Sequence, residues 1–166
     1  MPDTDKRSIP IAAVVSKLLD DMVTVRATID DIIHAELIHS EAYTSEREGL
    51  LYVLSLLSLL KTTLSAADKD RLTTELTIAW CRLLRVGDDL ITPFHFLQER
   101  MAMYHRAIRE SDRSLADSCA MQLLRQLGID PSQRTVFMEL FPAYLHDVIC
   151  LESDSLNDIV RAANIV

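Results

Sequence analysis

The run Leu50-Leu51-Tyr52-Val53-Leu54-Ser55-Leu56-Leu57-Ser58-Leu59-Leu60 is apolar at every position except two serines. Wound as a helix, it turns apolar side chains in all directions and leaves no flank suited to water. Its eleven residues fall well short of the roughly 20 that a membrane span needs. The segment must therefore be enclosed by other helices, because an uncovered flank would be a large adhesive patch. Just ahead of it, Ser45 followed by Glu48 has the pattern of a capping box, in which hydroxyl and carboxylate each satisfy an orphan backbone N–H. The expectation is a central hydrophobic helix over about 46–64.

The flanking sequence supplies the cover. Ile11, Val15, Leu18, Met22, Val25, Ile29 and Ile32 recur at alternating spacings of four and three, which marks an amphipathic helix over 11–38, in one piece or two. Pro10 suits its first turn, where the missing N–H is not needed. Ser65 with Asp68 opens a third helix that runs to about Val86, with Gly87 placed to end it. Thr92 and Pro93 start a fourth, reaching about Glu110. Ser114 with Asp117 starts a fifth, closed by Gly128 and Ile129 in a Schellman arrangement. Asp130 and Pro131 start a sixth, which Pro142 breaks ahead of 143–151, and Ser155 with Asp158 caps a last one. The fold class expected is all-α: a compact bundle of six to eight helices around the apolar one. Residues 1–8 are expected to be a disordered N-terminal tail and 9–166 a single helical domain. No stretch alternates with period two for long enough to claim a strand.

Composition agrees. Hydrophobic residues make up 49% and charged residues 25% of the 166, inside the range of packed globular proteins. Three glycines and five prolines leave little material for the tight turns of a many-stranded fold. The formal charge is −8, from 25 acidic and 17 basic residues, and such a surface does not favour nucleic acid, since phosphate neutralisation needs a basic patch. Partners are expected to be proteins or small molecules. Cys81, Cys119 and Cys150 are odd in number and set in apolar helical contexts, so they read as buried thiols of a reducing compartment. With no apolar run among residues 1–9, the reading is a cytoplasmic protein without a membrane segment.

Three groups of residues could carry chemistry. Arg106, Arg109 and Arg113 form the one concentrated basic stripe, if the fourth helix reaches that far, and arginine forks suit carboxylates and phosphates. They are the candidate partner-binding residues. Glu36 and His39 form a Glu-x-x-His pair, a spacing that puts a carboxylate and an imidazole one turn apart where both could bind a metal. A dinuclear carboxylate site needs a second such pair, and the chain has none. Arg100 and His105, separated by four residues, are the third group. This spacing resembles the Arg-x4-His motif of HEPN-type helical ribonucleases, and the resemblance implies a pair that holds and attacks RNA phosphates across a dimer. It covers these two positions only, and the residue after the arginine, usually polar in that family, is Met101 here. The aromatic residues Phe94, Phe96, Tyr104, Phe137, Phe141 and Tyr144 read mainly as core, and any left outside would nominate a partner groove.

There is no Gly-rich phosphate loop, Cys-x-x-Cys, His-Glu-x-x-His or Gly-x-Ser-x-Gly. The function expected is therefore a non-enzymatic protein–protein interaction module, such as an adaptor, secretion-type chaperone, immunity or regulatory protein, acting through outer amphipathic helices. No cofactor is expected, and a homodimer stays open. The alternatives are the ribonuclease using Arg100 and His105, and a metal or small-ligand site near Glu36 and His39.

Overall fold

The computed structural model describes residues 7–33, 40–130, 132 and 135–166, with the backbone only at 135–138. Among them are six helices: α1 (Ile11–Ile32), α2 (Glu41–Leu60), α3 (Ala66–Leu84), α4 (Ile91–Arg109), α5 (Leu115–Gln126) and α6 (Thr135–Ala162). The apolar run lies in α2, which packs against each of the other five. Those five also touch in a closed circuit: α1 against α3, α3 against α4, α4 against α5, α5 against α6, and α6 back against α1. The molecule is an all-α bundle in which a ring of helices encloses one hydrophobic axis. No helix among the described residues is long and apolar enough to cross a membrane.

Leu50, Leu51, Val53, Leu54 and Leu59 are completely buried, and each such side chain contributes roughly 1.5–3 kcal/mol by leaving water. Ser55 and Ser58 are buried with them, and their hydroxyls donate to the carbonyls of Leu51 and Leu54, both at 2.9 Å. The two polar interruptions therefore bury no unsatisfied group.

The start of α2 differs from expectation. The helix begins at Glu41, and its cap is Ser40, whose hydroxyl accepts the Tyr43 N–H at 3.0 Å. Ser45 and Glu48 lie inside the helix, and Glu48 is turned inward to two arginines. The extra turn buries Tyr43, whose hydroxyl donates to Asp30 of α1. Three other ends fall where the sequence puts them. Ser65 and Ser114 accept the backbone N–H of Asp68 and Asp117. Gly128, at φ +67°, donates to the Arg125 carbonyl while Ile129 donates to that of Leu124, completing the Schellman pair.

α1 is a single helix that ends at Ile32, short of the expected 38; Pro131 and the side chain of Phe137 lie outside the described residues. Pro142 does not break α6, which runs through it to Ala162 and so takes in Ser155 as well. One backbone bond is lost at the proline. Phe141, Leu145, Val148, Ile149 and Leu156 are buried before and after it, and that continuous apolar stripe holds the helix in one piece against α2 and α5.

A pair of short strands, unexpected from the sequence, joins the two ends. β1 (Arg7–Ile9) runs parallel to β2 (Ala163–Ile165), with Arg7 opposite Ala163 and Ile9 opposite Ile165. The pairing continues as Val166 N–H donates to Ile9 at 3.0 Å and Ile11 N–H to Val166 at 2.9 Å. Three residues per strand are too few for period-two alternation to register. Arg7 and Ser8, placed by sequence in the tail, are thus paired backbone here.

Candidate functional site

The corner between α3 and α4 is built by local chain chemistry. Arg85 leaves the helix in an extended conformation, Gly87 turns the chain at φ +64°, and Asp89 then caps α4. One carboxylate oxygen of Asp89 accepts the N–H groups of Ile91 (2.8 Å) and Thr92 (3.2 Å), and the other accepts the Thr92 hydroxyl (2.6 Å). These bonds hold the Asp89 carboxyl below the usual carboxylate range. Pro93 follows within the first turn of α4, where no N–H is required.

This braced corner presents apolar side chains to solvent. Leu83, Val86, Leu90, Ile91 and Phe94 are five of the ten large apolar side chains exposed among the described residues, with Val86 at 88% and Ile91 at 69%. A cleft lies on each side. One, of about 470 Å³, runs between α3 and α4 and is lined by Thr73, Thr74, Thr77, Ile78, Cys81, Leu90, Ile91, Phe94 and Gln98. The other, of about 330 Å³, reaches the start of α2 and is lined by Leu84, Val86, Pro93 and Phe96 with Thr44, Ser45, Glu48, Asp89 and Thr92. Apolar walls with a few polar groups in clefts of this size are the usual make-up of a recognition surface.

Beneath the second cleft lies a network of charges. Arg47 Nη1 donates to both oxygens of Asp30 at 2.8 and 2.7 Å and Nη2 donates to Glu48 at 2.9 Å, while Arg26 donates to Glu48 at 2.8 Å. The Tyr43 hydroxyl donates to Asp30 at 2.6 Å, and burial, with Asp30 beside it, raises the phenol well above its ordinary value. Two arginines and two carboxylates thus neutralise one another at the α1–α2 seam. Of this network only Glu48 lines the cleft itself, and Arg26 Nε is buried without a hydrogen-bond partner.

The residues picked from the sequence separate. Arg106 and Arg109 are exposed on the last turn of α4, and among the described residues no ion pair engages them. The helix stops at Arg109, so Arg113 lies in the following connection instead of extending the stripe. There it lines a small polar cleft with Glu110 and Arg125. Arg100 faces inward: its guanidinium forks onto Glu46 at 2.8 and 2.5 Å, and the two side chains are only 14% and 9% exposed. The same guanidinium stacks over Phe96, 4.7 Å from the ring centre. His105 is exposed, about 140° round the helix from Arg100 at roughly 100° per residue. The structure therefore does not bring Arg100 and His105 together, and Arg100 is committed to the α2–α4 seam. Glu36 and His39 lie outside the described residues, and among those described no three potential ligands gather to hold a metal.

Sequence reasoning missed the surface at 83–94 because each apolar residue there continues a helical pattern that also fits the core. Its clearest signal was the cluster Val86, Leu90, Ile91 and Phe94 around a glycine and two aspartates, a turn too apolar for a solvated loop. No protein-family model, curated protein or solved structure matches the chain.

Proposed function

We propose that the chain is a non-enzymatic protein–protein interaction module, an adaptor, secretion-type chaperone, immunity or regulatory protein, whose partner docks on the α3–α4 corner and along the outer face of α4. The observation that carries this reading is the concentration of exposed apolar side chains at 83–94 between two clefts. The outer face of α4 runs from Ile91 to Arg109, which share one helical stripe roughly 27 Å long at 1.5 Å per residue. It is apolar at its start and cationic at its end, with Arg106 and Arg109 exposed there. A complementary ligand is an amphipathic helix with apolar anchors near one end and carboxylates near the other, laid into the clefts. Arg106, Arg109 and Arg113 then act as a charged rim, setting orientation and association rate more than affinity.

A photo-crosslinking residue placed in turn at Ile91, at Arg106 and at Asp154 of α6 tests the assignment in cells. Adducts are expected from the first two positions and not from the third. Equal labelling from all three, or none from Ile91, would remove the support for this face.

A further inference from the structure

The C-terminal end of α2 and the middle of α6 meet around the thiol of Cys150. Lys61, the residue that ends α2, donates from Nζ to Sγ at 3.0 Å. His146, one turn earlier on α6, places Nε2 3.5 Å from the same sulfur. The two helices are fastened beside this point, where the Thr63 N–H and hydroxyl both donate to Asn157 Oδ1, at 2.8 and 3.0 Å. Cys150 is half-buried, while Lys61 and His146 are exposed, so a solute can approach the sulfur. The other two thiols differ. Cys81 and Cys119 are buried, and burial pushes Cys119 up to about 12 and raises Cys81 in the same direction.

We propose that Cys150 is a reactive thiol that exchanges with small disulfides bearing carboxylates, with Lys61 as the anion-holding group and His146 as proton carrier. A nucleophile within reach of a base, with a cation donating to the attacking atom, is the arrangement that thiol chemistry requires. As the Cys150 sulfur attacks one sulfur of the incoming disulfide, its proton passes to His146 Nε2. The new S–S bond forms while the old one breaks, and the departing thiolate takes the proton back. Cys150 ends oxidised in a mixed disulfide, and the released half of the reagent ends as a reduced thiol, so the incoming disulfide supplies the oxidising equivalents. Lys61 stabilises negative charge gathering on sulfur and also attracts the carboxylate of the reagent. This site is separate from the α3–α4 face and does not depend on its function.

The test compares a dianionic disulfide, dithiobis-nitrobenzoate, with the neutral dithiodipyridine on the full chain, following thiol release by absorbance and locating the adduct by peptide mass spectrometry. One fast-reacting thiol is expected, at Cys150, and Cys150→Ser should abolish the fast phase. Native Cys150 should react about threefold or more faster than the same thiol in the urea-unfolded chain. His146→Gln should slow both reagents. Lys61→Met should slow the anionic reagent by about 10-fold and the neutral one by about 3-fold, the loss of one charge-assisted hydrogen bond plus an anion contact. A native rate no greater than the unfolded one, or a Lys61→Met effect equal for the two reagents, overturns the proposal.

Discussion

Glu46 and Arg100 face each other across the α2–α4 seam with little water between them, and their neighbours are shaped to fit. Gly49, one turn from Glu46, has the Arg100 stem lying across it, and a Cβ there would come within 2.9 Å of Arg100 Cγ. Glycine inside a helix costs about 1 kcal/mol relative to alanine, so elsewhere in α2 the replacement would stabilise. Here the fork to Glu46 and the stacking on Phe96 prevent Arg100 from stepping aside. Gly49→Ala is expected to destabilise by about 1–2 kcal/mol, read from the urea midpoint. Arg100→Met leaves a buried carboxylate unpaired and should cost about 2–4 kcal/mol, while Glu46→Leu with Arg100→Met should recover much of that loss. A double variant no more stable than Arg100→Met alone would show that the pair is not coupled. Close by, the Tyr104 hydroxyl is fully buried without a hydrogen-bond partner, and burial raises the phenol well above its ordinary value. Tyr104→Phe removes that orphan and should leave stability unchanged or raise it by about 1 kcal/mol. None of this was readable from position alone. Arg100 and Glu46 are 54 residues apart, and only the third dimension shows that the arginine is a structural strut.

At the scale of the helix, local rules predict several starts and stops where the cap is made by neighbours in the chain, though Asp89 rather than Thr92 caps α4 and Ser155 lies within α6. Ser65, Ser114, Gly87 and Gly128 were legible for that reason. The start of α2 was not, because two serines compete for the role and the winner is chosen by burial of Tyr43 and its hydrogen bond to Asp30 of α1. The two positions separate cleanly by experiment. Ser40→Ala should cost about 1 kcal/mol in thermal or urea unfolding, while Ser45→Ala should change stability by less than about 0.5 kcal/mol. The reverse order would mean that the helix begins a turn later in solution. Pro142 makes the complementary point about α6: a residue that reads as a breaker is tolerated when the stripe on either side of it is held by two other helices. The apolar corner at 83–94 escaped notice because a sequence shows that a residue is apolar but not whether another helix will cover it.

At the scale of the whole molecule, the enclosing ring closes between α1 and α6, and charge sits at that joint. Glu152 on α6 lies beside Asp21 and Lys17 of α1, which pair with each other. Burial first, and then the neighbouring Asp21 carboxylate, push the Glu152 carboxyl up to about 7, against the pull of Lys17. The folded chain therefore holds a proton there that the unfolded chain gives up in the ordinary carboxylate range. The contribution of Glu152 to stability is full below that range and falls as pH rises to about 7, flattening above it. Because Glu152 is only partly shielded from water, the loss is about 1–2 kcal/mol. Glu152→Gln should abolish it, raising the urea midpoint at pH 8 and leaving it unchanged at pH 4. A wild-type midpoint flat between those values would refute the assignment.

α6 packs along α2 and completes its enclosure, and its late place in the chain has a consequence for synthesis. α2 leaves the ribosome before α6 exists to cover it, and the roughly 75 residues between them take about 4–15 s to make. Through that interval the apolar run of α2 has one side of its enclosure missing. The nascent protein must be shielded then, by its own transient collapse or by a holding chaperone, and a variant that slows translation after α2 should aggregate more even though its finished fold is unchanged.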